Sequence, residues 1–242
     1  MKATRILAVA RLVFAEQTRD RLLWLAVMTA VLLAAGVRSI EWINFGLPRA
    51  RFLIDGGLAA ISLGSLFLAV VAPTQGLHRH LETGVAAMLL ARGVRRSELV
   101  AGHWLAMLGL LAVYAVLPGI VLVLALAGAG NAAADAVGGL VHVWLCGAVV
   151  AAMALAVGCL FHSLPLALCL VLMLVAGGHI RDLAGPLAGE EGWLRLLASL
   201  VPDLGAFTPG NHAAPGRLLP YAMGHVVLWL FIAGLGFRRR EL

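Results

Sequence analysis

The chain has 242 residues, of which 62% are hydrophobic and 12% are charged, and its mean hydropathy is +0.98. A water-soluble domain carries about a quarter charged residues, so this composition predicts an integral membrane protein with no room for a sizeable soluble domain. The formal charge of +6 comes with no nucleic-acid-binding motif and lies largely beside apolar runs, where basic residues meet lipid headgroups. The expected partner of these charges is therefore the bilayer and not a nucleic acid.

The order of apolar and basic segments predicts an all-α membrane protein with a single domain over residues 1–242. Residues 1–21 interleave basic and apolar side chains, which is typical of an amphipathic helix lying in the membrane interface. Six apolar stretches follow, each near the roughly 20 residues that cross a bilayer. Pro118 and Gly119 predict a kink in the third stretch. The predicted spans are about 22–40, 54–72, 104–127, 137–161, 164–180 and 218–237.

The distribution of Lys and Arg predicts the orientation. With both termini inside, twelve basic residues lie on the cytoplasmic side and six on the outer side, which agrees with the positive-inside rule. Residues 73–103 then form a cytoplasmic loop. Residues 181–217 form an outer loop, whose amphipathic piece at 192–201 is too short to span. We expect a protein of the bacterial cytoplasmic membrane.

The cytoplasmic loop is the longest charged segment between two apolar ones. Leu81, Val85, Met88 and Leu89 repeat at helical spacing, so residues 81–91 are predicted to form a short amphipathic helix. A basic turn follows, and Ser97 is a plausible N-cap for the next helix. Such a helix needs lipid headgroups or another protein to press against.

The sequence also excludes some chemistry. Lys2 is the only lysine and has no glycine-rich context, so the chain cannot itself be a P-loop ATPase. Cys146, Cys159 and Cys169 lie in apolar runs without CxxC spacing, which indicates buried thiols and neither a disulfide framework nor a zinc site.

Ionisable groups inside the predicted spans are candidates for chemistry because isolating them in hydrocarbon is costly. Histidine and cysteine together suit a soft metal, and paired histidines can ligate haem. The competing interpretation is a neutral histidine hydrogen-bonded to a backbone carbonyl, and we expect no metal and no cofactor in this chain. A haem- or metal-binding anchor of an electron-transfer complex remains the alternative function. Its candidate ligands are His142, Cys146, His179 and His225.

Other polar residues carry weaker hypotheses. An intramembrane serine protease would need Ser62 or Ser65 at the depth of a histidine, but the span histidines are predicted nearer the outer face. Asp55 and Asp135 lie at predicted outer ends; helix capping explains Asp135, and a proton relay is the alternative. Closely spaced small residues, such as Ala60 with Gly64 and Gly147 with Ala151, predict internal helix packing, with a dimer interface as the alternative.

Three segments resemble the ABC-2-type transporter permeases, the membrane subunits of ATP-driven exporters. The basic N-terminal helix is similar to the elbow helix of that family. Residues 81–102, with Leu81-Glu82-Thr83-Gly84, Arg92-Gly-Val-Arg-Arg-Ser-Glu98 and Gly102, resemble its coupling-helix region. Pro202-Asp203-Leu204 with Phe207, and a last span closing in Phe237-Arg-Arg-Arg-Glu, resemble its C-terminal portion. The chain departs from the pattern at His78, His80 and His103, where relatives more often carry acidic, polar or basic residues.

The resemblance implies a non-catalytic permease subunit that forms the substrate pathway as a dimer, most simply a homodimer. A separate ATPase subunit would bind ATP and Mg²⁺ and dock on the cytoplasmic loop. The substrate stays open among lipids, drugs, polysaccharides, haem, and sulfur or copper species for metalloenzyme maturation. The residues expected to contact the ATPase are Leu81, Glu82, Thr83, Gly84, Val85, Met88, Leu89, Arg92, Arg95, Arg96 and Glu98.

Overall fold

The computed structural model describes residues 3–40, 49–126, 132–179, 201–207 and 215–239, and within these ranges the chain forms helices and no strand. A 3-10 turn, Gly205–Phe207, lies before the last helix. The helices are α1 (Ala3–Arg19), α2 (Arg21–Ile40), α3 (Arg49–Glu82), α4 (Val85–Ala91), α5 (Arg96–Ala125), α6 (Ala132–Leu160), α7 (Leu164–His179) and α8 (Pro215–Arg238).

Four of these helices, α3, α5, α6 and α8, are long and apolar enough to cross a membrane. This confirms an all-helical membrane protein at the coarse level. α7 is a shorter apolar helix, and α2 occupies the stretch predicted as the first span. Six spans, and the roles of α1 and α4, stay predictions.

Two helices extend well beyond the apolar stretches that predicted them. α3 continues through Pro73 to Glu82, so Leu81 and Glu82 belong to it and not to the short helix predicted at 81–91. The break falls at Gly84, whose φ of 74° is the left-handed conformation that ends helices without a Cβ penalty. α4 therefore has only seven residues.

α5 begins at Arg96, ahead of the predicted span boundary at 104, and is continuous through Pro118. The prediction of Ser97 as N-cap was wrong, because the cap position is Arg95. The backbone N–H of Arg95 donates to Glu98 Oε2 over 3.0 Å. A glutamate at the third helical position, not a serine hydroxyl, thus satisfies a backbone donor at this helix start.

The core is built around α6. In its most apolar stretch 83% of the residues are buried, against 28% in α8, as expected for a helix that is apolar all round. Small side chains allow neighbouring helices to approach it closely. A Cβ added at Gly147 would lie 2.9 Å from the Ser65 hydroxyl of α3 and 3.1 Å from a Leu111 methyl of α5. Gly147 and its partner Ala151 therefore serve packing inside the chain.

Two tryptophans join α5 and α6 reciprocally. Trp104 of α5 donates its indole N–H to the carbonyl of Ala148, and Trp144 of α6 donates to the carbonyl of Leu108, each over 3.1 Å. Helical carbonyls have a second lone pair, so both indoles are satisfied without breaking the helix ladders. The antiparallel pair is thereby held at a fixed register.

At the opposite end from α4, the segment containing Pro202 fastens α7 to α8. The Asp203 N–H donates to the Tyr221 hydroxyl over 2.7 Å, and the Leu204 N–H donates to the Gly178 carbonyl over 3.2 Å. Phe207 is buried and packs against the Tyr221 ring. The predicted outer helix at 192–201 lies, apart from its last residue, outside the described residues.

We expect Gly64→Ala to destabilise the protein by about 1–3 kcal/mol, because the new methyl group would overlap the Tyr114 hydroxyl and lie 2.8 Å from its Cζ. Thermal unfolding in detergent measures this loss. Tyr114→Phe removes the hydroxyl together with its bond to the Ile61 carbonyl. The loss of stability in the double variant should therefore be smaller than the sum of the losses in the two single variants.

Gly234→Ala is the matched control, since nothing lies within 4 Å of the Cβ that it would add. This variant should keep or slightly raise the melting temperature, as alanine favours helix over glycine. Equal losses for Gly64→Ala and Gly234→Ala, or strict additivity with Tyr114→Phe, would contradict the packing described for Gly64.

Candidate functional site

α1 packs on α3 and α5. Its face with Val9, Val13 and Gln17 is buried in the protein. Gly102 of α5 permits this contact, because an added Cβ would lie 2.6 Å from a Val9 methyl. Gly76 of α3 does the same for Gln17, whose amide nitrogen would lie 2.5 Å from the added Cβ. α1 is thus fixed to two longer helices.

Next to this packing contact, three side chains from three helices contact one another in series. We call them the histidine cluster: Glu16 of α1, His80 of α3 and His103 of α5. His80 Nε2 lies 2.6 Å from Glu16 Oε2, and His80 Nδ1 lies 3.0 Å from His103 Nε2. His103 Nδ1 lies 3.0 Å from the Leu99 carbonyl oxygen. Both imidazoles are buried, whereas the Glu16 side chain is 34% exposed.

The hydrogen-bond chemistry of this cluster limits how its hydrogens can be arranged. The Leu99 carbonyl can only accept, so His103 Nδ1 carries a hydrogen. Each of the three contacts needs one hydrogen, but a carboxylate and two neutral imidazoles supply only two. All three contacts are hydrogen bonds at the same time only when the cluster holds one more proton, on an imidazole beside ionised Glu16 or on Glu16 itself. In either form the cluster is neutral overall, which suits its burial.

Neighbouring groups extend the cluster towards the surface. Arg79, the residue before His80, places its Nε 3.6 Å from Glu16 Oε1. His78 is also buried, but its Nδ1 bonds the Thr74 carbonyl over 2.9 Å, separately from the cluster. The cluster therefore joins α1, α3 and α5, and Glu16 is its solvent-exposed end.

The predicted docking residues fall into three groups by exposure. Leu81, Val85, Leu89 and Arg96 are half-buried, and Glu98 is buried. Part of the apolar face of α4 therefore packs on the rest of the chain, and Ala86 of α4 is fully buried there. The exposed members are Glu82, Thr83, Gly84, Met88, Arg92 and Arg95, and Met88 is the large apolar one among them at 49% exposure.

The connection around α4 is tied to both ends of the chain. Arg5 of α1 donates to the carbonyl of Gly93. Arg96 donates to the carbonyls of Phe237 and Arg238 over 3.0 and 2.7 Å, and so satisfies the free C-terminal end of α8. Arg96, predicted to contact an ATPase, is thus engaged within the chain, and Glu98 likewise caps the start of α5.

The histidines considered for metal or haem lie elsewhere. His142 and His225 each bond through Nδ1 to the carbonyl one turn earlier, over 2.8 and 3.2 Å. Cys146 is half-buried, and the side chain of His179 lies outside the described part. Among the described residues, no three His, Cys, Asp or Glu side chains could hold a metal ion together.

Sequence reasoning missed two residues of the site, Glu16 and Gln17. Both lie on the stripe of α1 that also carries Val9 and Val13, at helical spacing. A polar pair that continues an apolar stripe was the available signal that this face meets protein and not lipid.

We expect Glu16→Ala to lower the free energy of unfolding by about 1–3 kcal/mol, because it leaves buried His80 without an acceptor or donor at Nε2. Glu16→Gln should cost less than about 1 kcal/mol, because its amide N–H supplies the missing hydrogen to His80. Thermal unfolding in detergent compares the two variants. Glu82→Ala, an exposed acidic residue in the same region, is the control and should be neutral. If Glu16→Gln destabilised as much as Glu16→Ala, the assigned contact would be wrong.

No protein-family model matches this chain, and no curated protein is significantly similar to it. Its function is therefore argued from the sequence pattern and from the geometry of the site.

Proposed function

We propose that this chain is the permease subunit of an ATP-driven exporter of the ABC-2 type, and that a separate ATPase docks on α4. The observation that carries the proposal is the placement of α4. It is a seven-residue helix at the ends of two long apolar helices, set off from α3 by left-handed Gly84. Met88 leaves an apolar side chain exposed on a surface otherwise rich in arginine.

The contacts around α4 support a transmitting role. Ala86 of α4 is buried, Arg5 of α1 holds the turn after α4, and Arg96 holds the start of α5 to the end of α8. A push on α4 by a docked partner would therefore act on α1, α3, α5 and α8 together. Such a coupling fits transport by a shift between two rigid arrangements of the helices.

The remaining parts of the proposal follow from this division of labour. ATP and Mg²⁺ belong to the ATPase, and the permease itself catalyses nothing. Two copies of the chain enclose the pathway, each with six spans, α1 as the elbow helix, α4 as the coupling helix and both termini in the cytoplasm of a bacterium. The substrate class stays open among the candidates given above.

We expect Met88→Asp to weaken ATPase binding and stimulation by about tenfold or more, because a charge replaces the apolar contact at the centre of the docking surface. The chain is expressed in its own host, its co-purifying ATPase is identified by mass spectrometry, and ATP hydrolysis is measured in reconstituted vesicles. Met88 is preferred over half-buried Leu81, whose substitution would also disturb the fold.

Ser97→Asp is the matched control, since it adds the same charge at an exposed position of the same connection, outside the predicted docking set. It should leave ATP hydrolysis unchanged. The proposal fails if no ATPase co-purifies. It also fails if the Met88→Asp chain stimulates ATP hydrolysis as strongly as the Ser97→Asp chain and the unaltered chain do.

A further inference from the structure

A groove of about 780 Å³ lies between α1 and α4, beside the last turn of α3. Four arginines from separate segments line it: Arg19 at the end of α1, Arg21 at the start of α2, Arg79 in α3 and Arg92 after α4. The carboxylates of Glu16 and Asp20 line it as well, so the groove keeps an excess of two positive charges.

The arginines of this groove differ in their engagement. Arg79 pairs with Glu16 of the histidine cluster. The guanidinium groups of Arg19, Arg21 and Arg92 make no hydrogen bond or ion pair within the described part of the chain. Three cations are thus free to bind an anion, and guanidinium forks suit phosphate oxygens in particular.

The floor of the groove is apolar. Leu12 of α1 and Met88 of α4 line it and are 47% and 49% exposed, and Val85 and Leu89 line it and are half-buried. A purely ionic ligand would gain nothing from this floor. The pattern suits a molecule that joins a phosphate to hydrocarbon.

We propose that the groove binds the headgroup and adjoining glycerol backbone of an anionic phospholipid. The groove lies at the end of α3, a helix apolar and long enough to cross the membrane, and therefore at headgroup depth. The basic residues predict that this end is cytoplasmic, where the leaflet carries anionic lipid. The inference does not rest on the proposed function, because the lipid would bind the chain without an ATPase.

The test is native mass spectrometry of the purified chain titrated with phosphatidylglycerol, cardiolipin or phosphatidylcholine. We expect the two anionic lipids to bind and phosphatidylcholine to bind at least about tenfold more weakly, since each arginine near a headgroup contributes about fivefold in affinity. The triple variant Arg19→Gln, Arg21→Gln, Arg92→Gln should lose about tenfold or more of the affinity for anionic lipid. Equal binding of all three lipids would overturn the proposal.

The matched control removes three arginines that also lie on the predicted cytoplasmic side but do not line the groove: Arg11→Gln, Arg95→Gln, Arg239→Gln. It should keep anionic-lipid affinity within about twofold, because these three arginines lie outside the groove and do not contact the bound headgroup. An equal loss in both triple variants would mean that the lipid is held by general charge, and the groove would carry no site. If the triple variant of the groove arginines does not fold, the lipid affinities of the single variants Arg92→Gln and Arg95→Gln give the same comparison within one exposed turn.

Two further measurements distinguish an anionic lipid from other ligands that the groove could bind. sn-Glycerol 3-phosphate, which has the phosphate but no acyl chain, should compete only weakly; competition as strong as that of the lipid would overturn the role of the apolar floor. The triple variant of the groove arginines could instead keep its affinity for anionic lipid and lose a co-purifying protein. In that case the groove binds an acidic segment of a partner, and the proposal is wrong.

Discussion

The site depends on the packing of α1 against α3 and α5. This packing requires two positions without side chains, Gly76 and Gly102, where Gln17 and Val9 reach the neighbouring helix surfaces. Once α1 lies there, the same face brings Glu16 to His80. The groove beside α4 depends on this packing too, because one of its walls is α1. A helix lying loosely on lipid would provide neither the third member of the cluster nor that wall.

Composition and periodicity were sufficient for the helical membrane architecture but not for the helix ends. Apolar runs mark the part of a helix that faces hydrocarbon, whereas backbone hydrogen bonding continues a helix until something stops it. α3 therefore continues ten residues past the predicted boundary, to the turn at Gly84, and α5 begins eight residues early at Arg96. The central position of α6 agrees with its being apolar on every side.

The histidine cluster could not be predicted from the sequence because it depends on how three helices are rotated against one another. Its members are 64 and 23 residues apart along the chain. His80 and His103 each stood out as departures from a family pattern, but nothing in the sequence placed them in contact. The contact of Arg96 with the carbonyls that end α8 was equally out of reach of the sequence, because its partners lie more than 140 residues along the chain.

The two indole bonds between α5 and α6 limit how this protein can move. Trp104 and Trp144 are each anchored on a carbonyl of the opposite helix, so axial sliding in either direction breaks both bonds at once. The two bonds consequently hold α5 and α6 together as a rigid pair. A rearrangement that keeps both bonds therefore moves α5 and α6 as one unit.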